Sequence, residues 1–158
     1  MTFLKKIDEF FEKINITIGS ILVIAMVVVV VLQVYYRYVL HNSLSWSEEL
    51  ARCIFAWVTF LGADIALRKG AHIGLDLIEK KLNNGQKTVL KYIKNFIIGF
   101  FSAAMIKTGI EVVSITMSQN LPALQIPTGY VYVAIPFAGM TMLLHVVYDT
   151  FKEIKGVA

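Results

Sequence analysis

Cysteine occurs once in 158 residues, at Cys53, so no internal disulfide can staple the chain. Charge is also scarce. Asp, Glu, Lys and Arg supply 16% of residues, where soluble domains carry about 25%. A soluble domain this small could not hide the remaining apolar surface, because short chains bury only about two-thirds of what they expose unfolded. The sequence contains no P-loop and no glycine-rich phosphate cradle. Of His41, His72 and His145, only His145 falls inside an apolar run, so an intramembrane haem lacks facing axial ligands. A thiol oxidoreductase needs paired cysteines, and Cys53 reads instead as a small packing residue. His72 and Asp76 stand four apart with no clear third ligand, so they read as a polar pair rather than a metal site. No catalytic, cofactor or metal constellation stands out.

What is present is apolar. Hydrophobic residues make up 57% and the mean hydropathy is +0.67. Aromatics at 12% and the low charge argue against disorder. The net charge of +4 gives no strongly basic surface for nucleic acid. Composition points to an all-α membrane protein of one domain. Membrane helices need about 20 mostly apolar residues, and four such runs are expected, over about 16–36, 50–67, 92–115 and 130–148. Short linkers predict antiparallel neighbours, as in an up-down bundle. The first run is too long for a signal peptide and has no small-x-small cleavage site behind it.

Orientation follows from the cations. Twelve of the fifteen Lys and Arg residues lie in the N-terminal arm, the linker between spans two and three, and the C-terminal tail. Only Arg37 and Arg52 lie on the other side, and Lys107 falls within a span. Positive loops face the cytoplasm, so both termini are expected there. The segments 41–47 and 118–128 are then expected to face outward. Phe3, Ile7, Phe10 and Ile14 recur with a helical period, predicting an amphipathic N-terminal helix. It either lies in the headgroup layer or extends the first span. Ala71, Leu75, Ile78 and Leu82 predict a short interfacial helix, with Lys80 and Lys81 near anionic phospholipid and Asn83-Asn84-Gly85 as its stop.

A few polar residues stand out. Ser45-Trp46-Ser47-Glu48 fits a capping box for the second helix. Glu48 precedes Arg52 by one turn, and Trp46 suits the outer interface. This cluster either starts and anchors a helix, or Arg37, Trp46, Glu48, Glu49 and Arg52 touch a partner or lipid headgroups. Asp64 and Arg68 are spaced to pair near the cytoplasmic end, and an ion or proton site at Asp64 is the sharper alternative. Lys107 lies in the outer part of the bilayer, with Glu111 one turn on to neutralise it. That face is expected to meet protein or a crevice. Pro127 is expected in the first turn of the fourth helix. Pro136 should kink that helix by freeing the Tyr132 carbonyl, and Gly139 permits close contact. The uncharged linker 119–127 reads as a docking surface or a tight turn.

The motif order resembles the small membrane subunit of tripartite ATP-independent periplasmic (TRAP) transporters, the DctQ-like family. It is carried by Arg37-Tyr38, then Trp46-Ser47-Glu48-Glu49 and Arg52, then Leu61-Gly62-Ala63, Arg68, Gly70, His72-Ile73 and Asp76. Ile126-Pro127, Tyr130 and Pro136 complete it. The resemblance implies a scaffold subunit in the bacterial inner membrane, not an enzyme. It implies a large membrane subunit that carries substrate and ion sites, a periplasmic substrate-binding protein, and import of carboxylate solutes coupled commonly to sodium. No residue here would bind substrate. Two other classes remain open: a self-assembling small exporter or channel lined by Asp64 or Lys107, and a membrane anchor for a redox enzyme.

Overall fold

The computed structural model describes residues 2–69 and 83–154, and these are helical with short connections. Helix α1 spans Thr2–Tyr38, α2 Ser45–Arg68 and α3 Asn84–Thr116. A single turn, α4, covers Gly129–Tyr132, and α5 covers Ala134–Ile154. Four helical stretches are long and apolar enough to cross a membrane: Lys5–Tyr38, Ser45–Arg68, Gly85–Thr116 and Gly129–Lys152. The four expected spans each fall within one of them. The expected interfacial helix at 71–82 lies outside the described residues.

The N-terminal arm is continuous with the first span. At 37 residues and about 1.5 Å per residue, α1 is about 55 Å long, well beyond the roughly 30 Å hydrocarbon core. Of the two readings of the arm, the structure supports extension. The side of the arm turned into the protein buries Asp8 and Asn15 beside half-buried Ile7, Phe11 and Ile14, while Phe10 is 61% exposed.

Three local expectations are corrected. Ser45 does not cap α2: the cap position is Leu44, without a side-chain cap bond, and Ser47 donates its hydroxyl to the Leu44 carbonyl at 2.7 Å. Asn83 stands at the start of a helix. Its side chain accepts from an amide in the first turn of α3, and its own N–H donates to Gln86 Oε1 at 3.1 Å. Asn84 and Gly85 therefore belong to α3, which begins eight residues before the expected span. Pro127 lies ahead of α4 rather than in its first turn, its carbonyl accepting from the Tyr130 N–H at 3.2 Å.

Pro136 interrupts the last span as expected. It has no N–H to give to the Tyr132 carbonyl, and helix α4 ends at Tyr132. The chain restarts at Ala134 and carries on to Ile154.

The packing order is not the sequence order. Helix α1 packs on α2, α2 packs on α5, and α5 packs on α3. Helix α5 thus lies between α2 and α3, so the consecutive helices α2 and α3 are not the neighbours that an up-down bundle predicts. Only six residues join α1 to α2, which keeps those two helices together. The α3–α5 contact is the most extensive, and two glycines explain it. A Cβ on Gly139 would lie 3.0 Å from the Ser102 carbonyl oxygen, and one on Gly109 would lie 2.7 Å from Pro136 Cδ. Both positions require a bare backbone for the helices to meet this closely. Met105, Ala138 and Met142 form the buried apolar centre of this contact.

Candidate functional site

Three polar sites need a physical account in a molecule so short of charge. The first lies at the end of the bundle where α1 begins and α5 finishes. Asp64 and Arg68 pair as their spacing predicts, with Arg68 Nε donating to Asp64 Oδ2 at 2.8 Å. Neither reaches solvent: their side chains are 0% and 2% exposed. The guanidinium instead faces three helices. Its Nη1 donates to the Asp8 carboxylate and, at 3.1 Å, to the Asp8 carbonyl on α1. Its Nη2 donates to the Thr141 carbonyl on α5 at 2.9 Å. Asn15 adds a 2.6 Å bond from Nδ2 to Asp64 Oδ2, and His145 Nδ1 lies 3.1 Å from Asp8 Oδ2.

A buried charge is tolerated only when it is paired and its hydrogen bonds are met. The planar guanidinium fork suits this, because it offers five donors in fixed directions. Arg68 therefore ties α1, α2 and α5 together, while Asp64 Oδ1 and Asn15 Oδ1 are buried without a hydrogen-bond partner among the described residues. Asp8, Asn15, Thr141 and His145 were not singled out from the sequence as partners. A signal was available. Asp8 and Asn15 are two turns apart, and Thr141 and His145 one turn apart, so each helix carries polar residues on one stripe.

The second site lies at the opposite end. Glu49 is 8% exposed, and its carboxylate accepts from the Ala123 N–H at 2.9 Å and the Leu124 N–H at 3.0 Å. These amides belong to the loop between α3 and α4. That loop closes on itself through Leu121 N–H to the Ile126 carbonyl at 2.9 Å and Thr128 N–H to the Gln119 carbonyl at 2.7 Å. Gln125 takes a positive φ of 56° inside it. Trp57 Nε1 donates to the Tyr130 carbonyl at 3.2 Å, a second tie from α2. The linker has the geometry of a tight, pinned turn. A cavity of about 300 Å³ lies beside it, lined by Glu49, Arg52, Cys53, Leu121, Pro122 and Tyr132.

The other candidate residues here are exposed. Glu48 and Arg52 pair at 3.7 Å with side chains 68% and 71% exposed, a geometry that contributes little to stability. Arg37 stacks its guanidinium 5.8 Å from the Tyr38 ring centre, and Trp46 is 39% exposed. Only Glu49 of this group is engaged deep within the chain.

The third site is on α3. Lys107 and Glu111 are both exposed, and among the described residues no ion pair joins them. The expected mutual neutralisation is absent, and both side chains stand on the face that α5 does not cover. Among the described residues, no three His, Cys, Asp or Glu side chains gather to hold a metal ion. His72 and Asp76 lie outside them.

Ionised residues are thus tied to one another inside a bundle of four helices long enough to cross a membrane. Residues 26–156 match the family described as tripartite ATP-independent periplasmic transporters, DctQ component. The chain belongs to the DctQ family. It is a multi-pass membrane protein with four helices long and apolar enough to cross a membrane.

Several curated DctQ relatives are similar along much of the chain. One is the isethionate TRAP transporter permease protein DctMQ of Oleidesulfovibrio alaskensis, 25% identical over 157 residues. That alignment covers 94% of this chain but only 24% of the relative, so the chain spans about a quarter of that protein's length. Another is the sialic acid TRAP transporter small permease protein SiaQ of Vibrio cholerae, 24% identical over 98% of this chain and 91% of the relative. The C4-dicarboxylate TRAP transporter small permease protein DctQ of Rhodobacter capsulatus is 28% identical over 63% of this chain and 45% of its own length. The DctQ match starts within α1 and extends past the last residue of α5, so it includes Glu49, Asp64, Arg68, Lys107 and His145.

Proposed function

We propose that this chain is the fixed scaffold subunit of a TRAP transporter that imports carboxylate solutes across the bacterial inner membrane, driven by an ion gradient, most simply sodium. The DctQ match over residues 26–156 carries this reading. A large membrane subunit supplies the substrate and ion sites, and a periplasmic binding protein delivers the solute. The relatives named for sialic acid and C4-dicarboxylates support an acidic solute class. The relative named DctMQ, about four times as long as the aligned region, supports assembly with a larger permease component. This chain catalyses no reaction in the scheme.

The polar residues support a scaffold. The deepest charges, Asp8, Asp64 and Arg68, bind one another across α1 and α2, and Arg68 reaches α5 through the Thr141 carbonyl. Glu49 holds the loop turn rigid. In the proposed orientation both termini are cytoplasmic, the Arg68 cluster faces the inner leaflet, and the Glu49 turn faces the periplasm near the docked binding protein. The lysines of the arm, the α2–α3 connection and the tail then meet anionic phospholipid.

The test is co-purification. A tagged copy of this chain, expressed with the large permease subunit of its transporter, should retain that subunit through detergent extraction and size exclusion. Solute uptake should require both. Uptake by this chain alone would refute the scaffold assignment.

A further inference from the structure

Helix α3 has one covered face and one bare face. Asn95, Ser102, Met105 and Gly109 are buried toward α5. On the opposite side a stripe repeats every three or four residues: Val89, Ile93, Phe96, Phe100, Ala104, Lys107 and Glu111, all exposed. Phe96 and Phe100 are 75% and 73% exposed, the largest values among the exposed large hydrophobics of the described residues. By itself, that much apolar surface fits a helix facing lipid tails. The charges do not.

From Lys94 to Lys107 is about 20 Å along the axis at 1.5 Å per residue. If Lys94 marks one edge of a roughly 30 Å core, Lys107 sits about 10 Å inside the other edge and Glu111 about 4 Å inside. Ionised side chains at such depth are rare and normally face protein or water. Both stand on the bare stripe, and neither makes an ion pair within the described residues. The first span gives the contrast: residues 16–36 of α1 expose a comparable apolar surface with no charge in it.

Resting on the scaffold reading above, we propose that the Phe100–Lys107–Glu111 face of α3 is the surface that docks the large membrane subunit. The partner would be a membrane-embedded helix of that subunit presenting a carboxylate or carbonyl acceptor to Lys107. One turn away it presents a cation or N–H donor to Glu111. Ala104, between Phe100 and Lys107, lets the partner backbone approach. The uncharged face of α1 stays in lipid.

The experiment places the photo-cross-linking amino acid p-benzoylphenylalanine at Phe100 or Ala104, with Val28 on α1 as the lipid-facing control. Irradiation of membranes holding the full complex should give an adduct with the large subunit from positions 100 and 104 and none from 28. Lys107→Met should lower recovery of the large subunit at least about tenfold, as for loss of one partner of a desolvated charge pair, while Lys107→Arg keeps most of it. The parent chain is run in parallel. Intact co-purification without adducts at 100 and 104, or with equal adducts at 28, overturns this face and leaves the scaffold reading standing. Unchanged recovery with Lys107→Met would show that the lysine only snorkels to the headgroups, and also overturns it. Failure of the parent to co-purify defeats the scaffold reading and this inference with it.

Discussion

Replacing Arg68 with Met removes one guanidinium and leaves the Asp8 and Asp64 carboxylates buried without their counter-charge. The side chains concerned are 2% exposed for Arg68, 10% for Asp8 and 0% for Asp64, so water cannot take over the role. Breaking a buried pair by removing one partner costs about 3–5 kcal/mol, most of it the penalty of the charge left behind. For a chain of this length each kcal/mol moves the unfolding midpoint by about 2–4 °C, so Arg68→Met should lower it by about 6–20 °C. Thermal unfolding in detergent, followed by near-ultraviolet circular dichroism of Trp46 and Trp57, measures this directly. Arg68→Lys should fall between the parent and Arg68→Met, because an ammonium keeps the charge but cannot span Asp64, Asp8 and Thr141 with a planar fork. Adding Asp8→Asn and Asp64→Asn to Arg68→Met should recover most of the loss, since the stranded charges are then gone. A midpoint for Arg68→Met within about 2 °C of the parent, or no recovery in the triple variant, would refute the view that this cluster clamps three helices.

The two glutamates of the second helix should behave differently. Glu49→Ala should unpin the α3–α4 loop and raise hydrogen exchange at the Ala123 and Leu124 amides, with a stability loss of about 1.5–3 kcal/mol for each charge-assisted bond removed. Glu48→Ala should change stability by less than about 1 kcal/mol, because its pair with Arg52 is exposed. Gly109→Ala should destabilise by about 1–3 kcal/mol through overpacking against Pro136, read as a lower midpoint in the same unfolding assay. Lys5→Ala should be nearly silent there, its bond to Glu9 being an exposed one-turn pair.

Much of the architecture was legible in the sequence because lipid imposes a simple rule. A helix that crosses hydrocarbon must be long and apolar, and four such runs are written plainly between Ile16 and Tyr148. The break before Pro136 and the close approach at Gly139 were legible for the same reason, since each follows from one residue's backbone. The helix starts were not. Ser45 offers the right letters for a cap, yet the hydroxyl that bonds the turn is Ser47, and Asn83 suits the start of a helix as well as its stop. Helix adjacency was not legible either, because one long connection allows α5 to lie between α2 and α3.

The polar sites divide along similar lines. The Asp64–Arg68 pair is local, one turn apart, and periodicity reveals it. Its extension to Asp8, Asn15 and His145 spans 49 to 137 residues of chain, and no local pattern encodes that distance. Glu49 and Glu48 look equivalent in sequence. Burial separates them: one faces the loop amides and the other faces outward. For Lys107 and Glu111 the spacing misled, since two exposed charges one turn apart need not pair.

Reconstitution tests the central claim most directly. The chain alone, the large subunit alone, and the two together are placed in sealed vesicles with an inward sodium gradient, and the periplasmic binding protein is added outside, loaded with radiolabelled solute. Uptake should appear only in vesicles holding both membrane subunits and vanish when the gradient is collapsed. Solute accumulation in vesicles that hold this chain alone would contradict the account.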